Sequence, residues 1–422
     1  MRPAVFILIA LMALSAYAGS ASTRFEGQSG SPVGIEPKWE KKSLTVFFET
    51  KGIPVGSIPD DLSLAEILAR AVAVWNSTEG GAPKFSILSR PKSERTPADV
   101  VIRFGQSLED NQLFSGNDSD AGAFTRLFAT VDGRFTRAII ILNPNALFDS
   151  KDRLSSFSME SVLVHELGHA LGLTHSLSLS SLMFPHTTLS LSNLKTNLTL
   201  SEDDRNGLRS LYRGDGCCFE IRGRIEQGIG EDRSKFHVVV ESLIDSRLLA
   251  VRAVSTDGTF TVKGLTSREI GIRVLNEDSV LVGSLDTILS EEAVNEEKIF
   301  YLDEIPTRTI RIDRRAFFGN EEFLSIAALD FDGVEGLEFN IGFERNRQPA
   351  QVMTAHFGGG FTALRPELVL DSSDWMVWRM IADSDSEIVD GEYSLYIQGN
   401  DYSIMVPGLL RIRKDMQLKS FK

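Results

Sequence analysis

The chain has 422 residues, 44 Lys+Arg against 58 Asp+Glu, a formal net charge of −14, six histidines and two cysteines. Its length predicts more than one domain, and 42% hydrophobic with 24% charged residues is globular composition, which excludes bulk disorder. The acidic surplus argues against a nucleic-acid partner, and two cysteines exclude a disulfide framework and a four-thiolate zinc site.

At the start, one cation, Arg2, precedes an apolar run from Ala4 to Leu14, and Ala16-Tyr17-Ala18 follows ahead of Gly19. This is the layout of a secretory signal peptide, since the run falls short of the ~20 residues that a bilayer needs. No Cys follows the cleavage site and no later segment is long enough for a transmembrane span. A soluble exported protein is expected, extracellular or periplasmic. Residues 1–18 form its signal and the Ser/Gly-rich residues 19–35 a flexible lead-in.

Beyond Lys38 the pattern predicts a strand at Ser43–Glu49 and a helix over Leu62–Trp75, with Leu64, Ile67, Leu68, Ala71 and Trp75 on one face. Strands are expected at Asp99–Phe104 and Arg137–Leu142, a second helix at Ser158–Leu173 and a third at Ser201–Leu211. Ser201 with Asp204 has the spacing of a capping box, and Glu202 and Asp203 suit a helix start. Together these elements predict an α+β domain over residues 36–214.

Three of the six histidines fall between Val164 and Ser176, in V-H-E-L-G-H-A-L-G-L-T-H-S. On a helix, His165 and His169 are four apart and project from the same face, close enough to share one Zn²⁺. Gly172 lets the chain leave the helix and swing back, so that His175 arrives as a third ligand. Three nitrogen ligands leave a fourth position open, which is the layout of a catalytic site. Glu166, beside the first ligand, is placed to act on water. Incidental surface or core histidines explain one such residue but not three at this spacing.

H-E-x-x-H-x-x-G-x-x-H followed by Met183 in Ser181-Leu182-Met183-Phe184-Pro185 resembles the metzincin signature with its Met-turn. Ser176 after His175 resembles the matrixin branch, as do the upstream order of elements and the closing helix Leu200–Tyr212. The resemblance covers roughly Ile35 to Gly214. It implies a mixed twisted sheet with three helices, one catalytic zinc on His165, His169 and His175, and protein or peptide substrates. Peptide bonds would be cut by attack of a zinc-bound water with Glu166 as general base and then acid. Met183 would be a hydrophobic floor, and Phe184 and Pro185 a wall of the substrate pocket. Many matrixins hold a second, structural zinc through upstream histidines; no His precedes His165, so that site is not expected. Nor is there a propeptide cysteine to hold the enzyme latent. Asn117, Asp118 and Asp120 could contribute to a calcium site, but a solvated acidic turn is the simpler expectation. His186 is expected at the surface.

After Gly216, short alternating runs predict β-structure: Arg222–Glu226, Phe236–Leu243, Leu248–Val254, Thr259–Val262 and Gly271–Leu275. Thr256–Leu265 resembles the carboxypeptidase-regulatory-like sandwich. Pro306 marks a boundary before a second β-rich stretch that includes Glu338–Phe343, Gln351–His356, Trp375–Ile381, Tyr393–Ile397 and Ser403–Val406. The expected layout is a multidomain chain, the metzincin-like domain at 36–214 followed by all-β sandwich-like modules at 218–305 and 306–422. The modules would engage substrate or a surface. Cys217 and Cys218 are adjacent; a bond between neighbours needs a strained ring, so two thiols or an intermolecular disulfide compete with it. The leading function is a secreted zinc endopeptidase. Its rival is an adhesion or surface-binding protein with a vestigial metalloprotease-like domain.

Overall fold

The computed structural model describes residues 37–59, 63–78, 81–90, 98–115, 121–149, 157–184, 198–213, 218–227, 236–276, 279–289 and 297–302, and most strand residues between 312 and 412. The expected signal peptide and lead-in lie outside the described residues, as do Asn117, Asp118, Asp120, Pro185 and His186. The structure divides into two compact units. The first runs to His175 and takes in 182–200 and 207–217; the second comprises 176–181, 201–206 and 218–422.

The first unit is built on a five-stranded sheet: β1 (Ser43–Phe48), β2 (Lys84–Ile87), β3 (Val100–Phe104), β4 (Ala123–Ala129) and β5 (Phe135–Leu142), in the order β2-β1-β3-β5-β4. β1 runs parallel to β2 and β3, and β3 parallel to β5, while β4 is an antiparallel edge on β5. β3 reads VVIRF with four of its five residues buried, the near-continuous apolar run of a strand covered on both faces. Helices α1 (Leu64–Asn76), α2 (Leu108–Gln112) and α3 (Met159–Ala170) belong to this unit, with a short parallel pair, β6 (Phe148–Asp149) and β7 (Phe157–Ser158); α4 (Glu202–Tyr212) starts in the second unit and ends in the first.

The expected strands and three helices are present with ends shifted by up to three residues, and α3 stops at Ala170 rather than Leu173. Gly172 sets that end. It adopts φ +97°, its N–H bonds to His169 O at 2.8 Å and the Leu173 N–H to Gly168 O at 3.1 Å, the two bonds of a Schellman cap. The capping box at Ser201 and Asp204 forms, each backbone N–H donating to the other's side chain. β2, β4 and α2 have no sequence expectation. β2 spans only four residues, β4 is a half-exposed edge, and α2 is a single turn held by its caps. There Ser107 and Asp110 cap each other, and Arg103 makes two bonds to the Asp110 carboxylate, at 2.7 and 3.1 Å.

α1 buries Ile67, Leu68, Ala71, Val72 and Trp75 in the core shared with α3 and the sheet. The Trp75 indole N–H donates to Val164 O at 2.7 Å, and that of Trp39 to Ala170 O at 2.7 Å. The Tyr212 hydroxyl donates to Leu171 O at 2.6 Å. α3 is thus fixed along its length and at its carboxyl end, where free carbonyls otherwise need partners.

In the second unit, β8 (Phe219–Gln227), β9 (His237–Ser242), β10 (Leu248–Ala253), β11 (Thr259–Leu265), β12 (Glu269–Leu275), β13 (Leu281–Ile288) and β14 (Glu297–Leu302) form two sheets, β10-β9-β12-β13 and β11-β8-β14. β9 is buried on both faces: Val238 and Val240 join the core with Ile225 and Phe260, while Val239 packs with Val251, Leu177 and Met405. Among the described residues, ten further strands lie between Ile312 and Ile412, including Gly391–Gly399 paired antiparallel with Ser403–Ile412. Cys218 adopts φ +69° and is disulfide-bonded; Cys217, the only other cysteine of the chain, is not among the described residues.

Candidate metal centre

α3 is apolar on every side, with Val162, Leu163, Val164, Leu167 and Ala170 all buried, so it forms inside the domain rather than on its surface. Its i, i+4 spacing sets His165 and His169 on one face, and the Schellman turn brings His175 back toward them. The Nε2 atoms of His165 and His169 stand 3.1 Å apart, and those of His169 and His175 3.2 Å. The ligand atoms of all three lie within 4.8 Å of one another, the metal-capable cluster among the described residues.

The other ring nitrogens show what these atoms are for. His165 Nδ1 lies 2.8 Å from Leu182 O, and His169 Nδ1 2.8 Å from Leu173 O. A carbonyl only accepts, so each Nδ1 carries the proton and each Nε2 presents a bare lone pair. Lone pairs this close repel unless a cation sits between them. Ligands at 2.0–2.1 Å in a tetrahedral set would be about 3.4 Å apart, close to the spacings here. The donor set fits a zinc ion: three imidazoles, two of them held as neutral donors by a backbone carbonyl.

Glu166 is buried beside this cluster. Burial pushes its carboxyl above the usual range, and a bond from the Thr125 hydroxyl to Oε2, at 2.6 Å, pulls it back. Thr125 comes from β4, the edge strand that no sequence pattern marked. Its contact spans 41 residues, and nothing local in the sequence signals it.

Met183 is fully buried and Phe184 is 8% exposed. Met183 packs under α3 at Gly168. A Cβ on Gly168 would stand 2.3 Å from Met183 Sδ and 2.6 Å from Trp75 Cζ2, so any side chain there would force Met183 and Trp75 to shift. Gly168 was not singled out from sequence, although it lies within the motif.

A helix-borne histidine pair, a glycine turn, a third histidine and a buried methionine have the arrangement of a metzincin-type metal centre. Residues 38–213 match the matrixin family model, and that segment is a matrixin domain. Metalloendoproteinase 1 of Glycine max is 45% identical over 178 residues, covering 42% of this chain and 53% of its own length. Interstitial collagenase of Oryctolagus cuniculus is 27% identical over 184 residues, 42% of this chain and 33% of its own. The hatching enzyme of Paracentrotus lividus is 29% identical over 168 residues, 37% of this chain and 24% of its own. The chain therefore spans between a quarter and about half of the length of these relatives. No helix among the described residues is long and apolar enough to cross a membrane.

Proposed function

We propose that the chain is a secreted zinc-dependent endopeptidase acting on protein or peptide substrates, with His165, His169 and His175 as metal ligands and Glu166 as the proton-transfer residue. The observation that carries this reading is the convergence of three imidazole nitrogens, two of them with their protons committed to carbonyls, beside a buried carboxylate. The matrixin domain and the relatives' names support it.

Bound zinc supplies Lewis acidity to a scissile carbonyl and to the attacking water. Glu166 takes the proton of the attacking water and returns one to the nitrogen of the departing amine. The raised affinity of its buried carboxyl for a proton suits that transfer, and the Thr125 hydroxyl fixes which way Oε2 faces. Among the described residues β4 pairs only with β5, so an extended peptide could add at its other edge and would then pass beside Glu166. Met183 is the apolar floor beneath the ligands, and Phe184 borders the pocket for the residue after the cut. Export fits an activity that is hazardous inside a cell, and the amino-terminal signal layout supports it.

Cleavage of casein by the full-length protein, with and without a zinc chelator, tests this reading. Chelation is expected to abolish cleavage and added zinc to restore it. A protein that binds zinc yet cuts no protein or peptide would favour the adhesion reading instead.

A further inference from the structure

The first two proposed ligands are held by a helix, but the third is not. From Leu171 to Phe184 the chain has no helix or strand, so the place of His175 depends on what its loop is tied to. Ser176 follows His175 by one peptide bond and is buried, as are Ser178, Leu179, Ser180 and Ser181. These residues belong to the second unit, together with 201–206 and the β-rich remainder.

Within that unit the loop is tied at each step. The Ser176 hydroxyl donates to Asp203 Oδ2 and accepts from the Ser178 N–H at 3.0 Å. Asp203 is fully buried. Its Oδ1 accepts from the Val251 N–H at 2.8 Å and from Arg252 Nη1 at 3.0 Å, both on β10. Arg252, 1% exposed, also donates to Asn206 Oδ1 and, at 2.7 Å, to Val251 O. Further along, the Leu179 N–H donates to Pro407 O at 3.0 Å, Arg411 Nη2 donates to Ser180 O, and the Ser181 hydroxyl donates to Asp204 Oδ1 at 2.6 Å. A fully buried arginine–carboxylate pair is a costly way to gain stability, since both charges lose their hydration. It does fix geometry, because the guanidinium fork and the carboxylate accept few alternative arrangements.

We propose that Arg252 and Ser176 are positioning residues for the third metal ligand. The β-rich part of the chain, through Arg252, Asp203 and Ser176, sets where His175 stands and thereby the affinity of the site for zinc. This rests on the reading of His175 as a ligand. On it, the β strands are part of the enzyme's working structure, not only appended modules that engage substrate.

The test uses the full-length chain and two readouts besides activity: zinc affinity by competition with a chromogenic chelator, and the visible spectrum of the cobalt(II)-loaded protein, which reports ligand geometry. Ser176→Ala keeps the Asp203–Arg252 pair but takes one hydrogen bond from the buried Asp203 Oδ2, so the metal-free protein is expected to melt somewhat below wild type. Beyond that loss, it is expected to weaken zinc binding 10–100-fold, as loss of a residue that orients a ligand does, and to alter the cobalt spectrum. Arg252→Met strands the Asp203 charge, so Asp203→Asn is made with it. That double variant is expected to move affinity and spectrum in the same direction. Zinc affinity within twofold of wild type and an unchanged cobalt spectrum in Ser176→Ala would overturn the positioning role alone. Failure of the wild-type chain to bind zinc would overturn the metal-site reading, and the positioning role with it.

Discussion

Met183 sits beneath α3 in space that exists only because residue 168 is glycine: a Cβ there would stand 2.3 Å from Met183 Sδ. The glycine between the two helical histidines and the methionine after the third are two halves of one packing contact, 15 residues apart in sequence. Gly168→Ala is therefore expected to destabilise the protein by about 1–3 kcal/mol, because helix, methionine and Trp75 cannot all keep their places. Thermal melting with and without zinc checks this. A melting temperature equal to wild type would mean that the loop yields without strain.

Thr125 reaches Glu166 Oε2 from the edge strand at 2.6 Å, a hydrogen bond to a buried carboxylate. Such a bond contributes about 1.5–3 kcal/mol, so Thr125→Val, of similar shape, is expected to lower kcat roughly tenfold or more with little change in KM. Steady-state kinetics on a fluorogenic peptide separates the two constants. An effect confined to KM would make Thr125 a substrate-binding residue instead.

Asp110 offers a pH prediction away from the metal. The Arg103 guanidinium holds its carboxyl well below the usual carboxylate range, burial opposes this, and the backbone N–H groups of Gln106 and Ser107 add to the lowering. A carboxyl with a depressed folded-state pKa contributes stability that is present above its unfolded pKa of ~3.9 and lost as pH falls toward the folded value. Urea midpoints should drop between pH 5 and pH 2.5 in wild type. In Asp110→Asn the midpoint should be lower at pH 5 and fall less on acidification. Equal slopes in both proteins would place the acid sensitivity elsewhere.

Removing metal should loosen the first unit. The bare Nε2 lone pairs of His165 and His169 repel without a cation, and an ion bound only by the folded state stabilises it by mass action, about 4 kcal/mol at a thousandfold excess over Kd. Chelation should therefore lower the melting temperature and added zinc should restore it. A melting curve indifferent to both would argue against a metal in this cluster.

Much of this was readable in the sequence because the signals were local. The stripe of Ile67, Leu68, Ala71 and Trp75 declares α1, and the i, i+4 histidines with Gly172 declare both a helix and its end. Thr125, Gly168 and Arg252 were not readable, for one shared reason. Each matters through a partner distant in sequence: Thr125 through Glu166, Gly168 through Met183 and Arg252 through Asp203. An edge strand such as β4, half exposed with weak alternation, has no signature until its neighbour is known. The same holds for β2, whose four residues pair in parallel with β1 across 41 positions of chain.

The central claim is that Glu166 moves the proton in a reaction supported by zinc on His165, His169 and His175. Glu166→Gln keeps the size and hydrogen-bonding reach of the side chain but cannot act as a base. Zinc content per chain and peptide cleavage, measured together on wild type and this variant, test the claim most directly. One zinc per chain in both proteins, with cleavage lowered 10²–10⁴-fold in the variant, is the predicted result. Zinc-loaded Glu166→Gln that cleaves at the wild-type rate would contradict it.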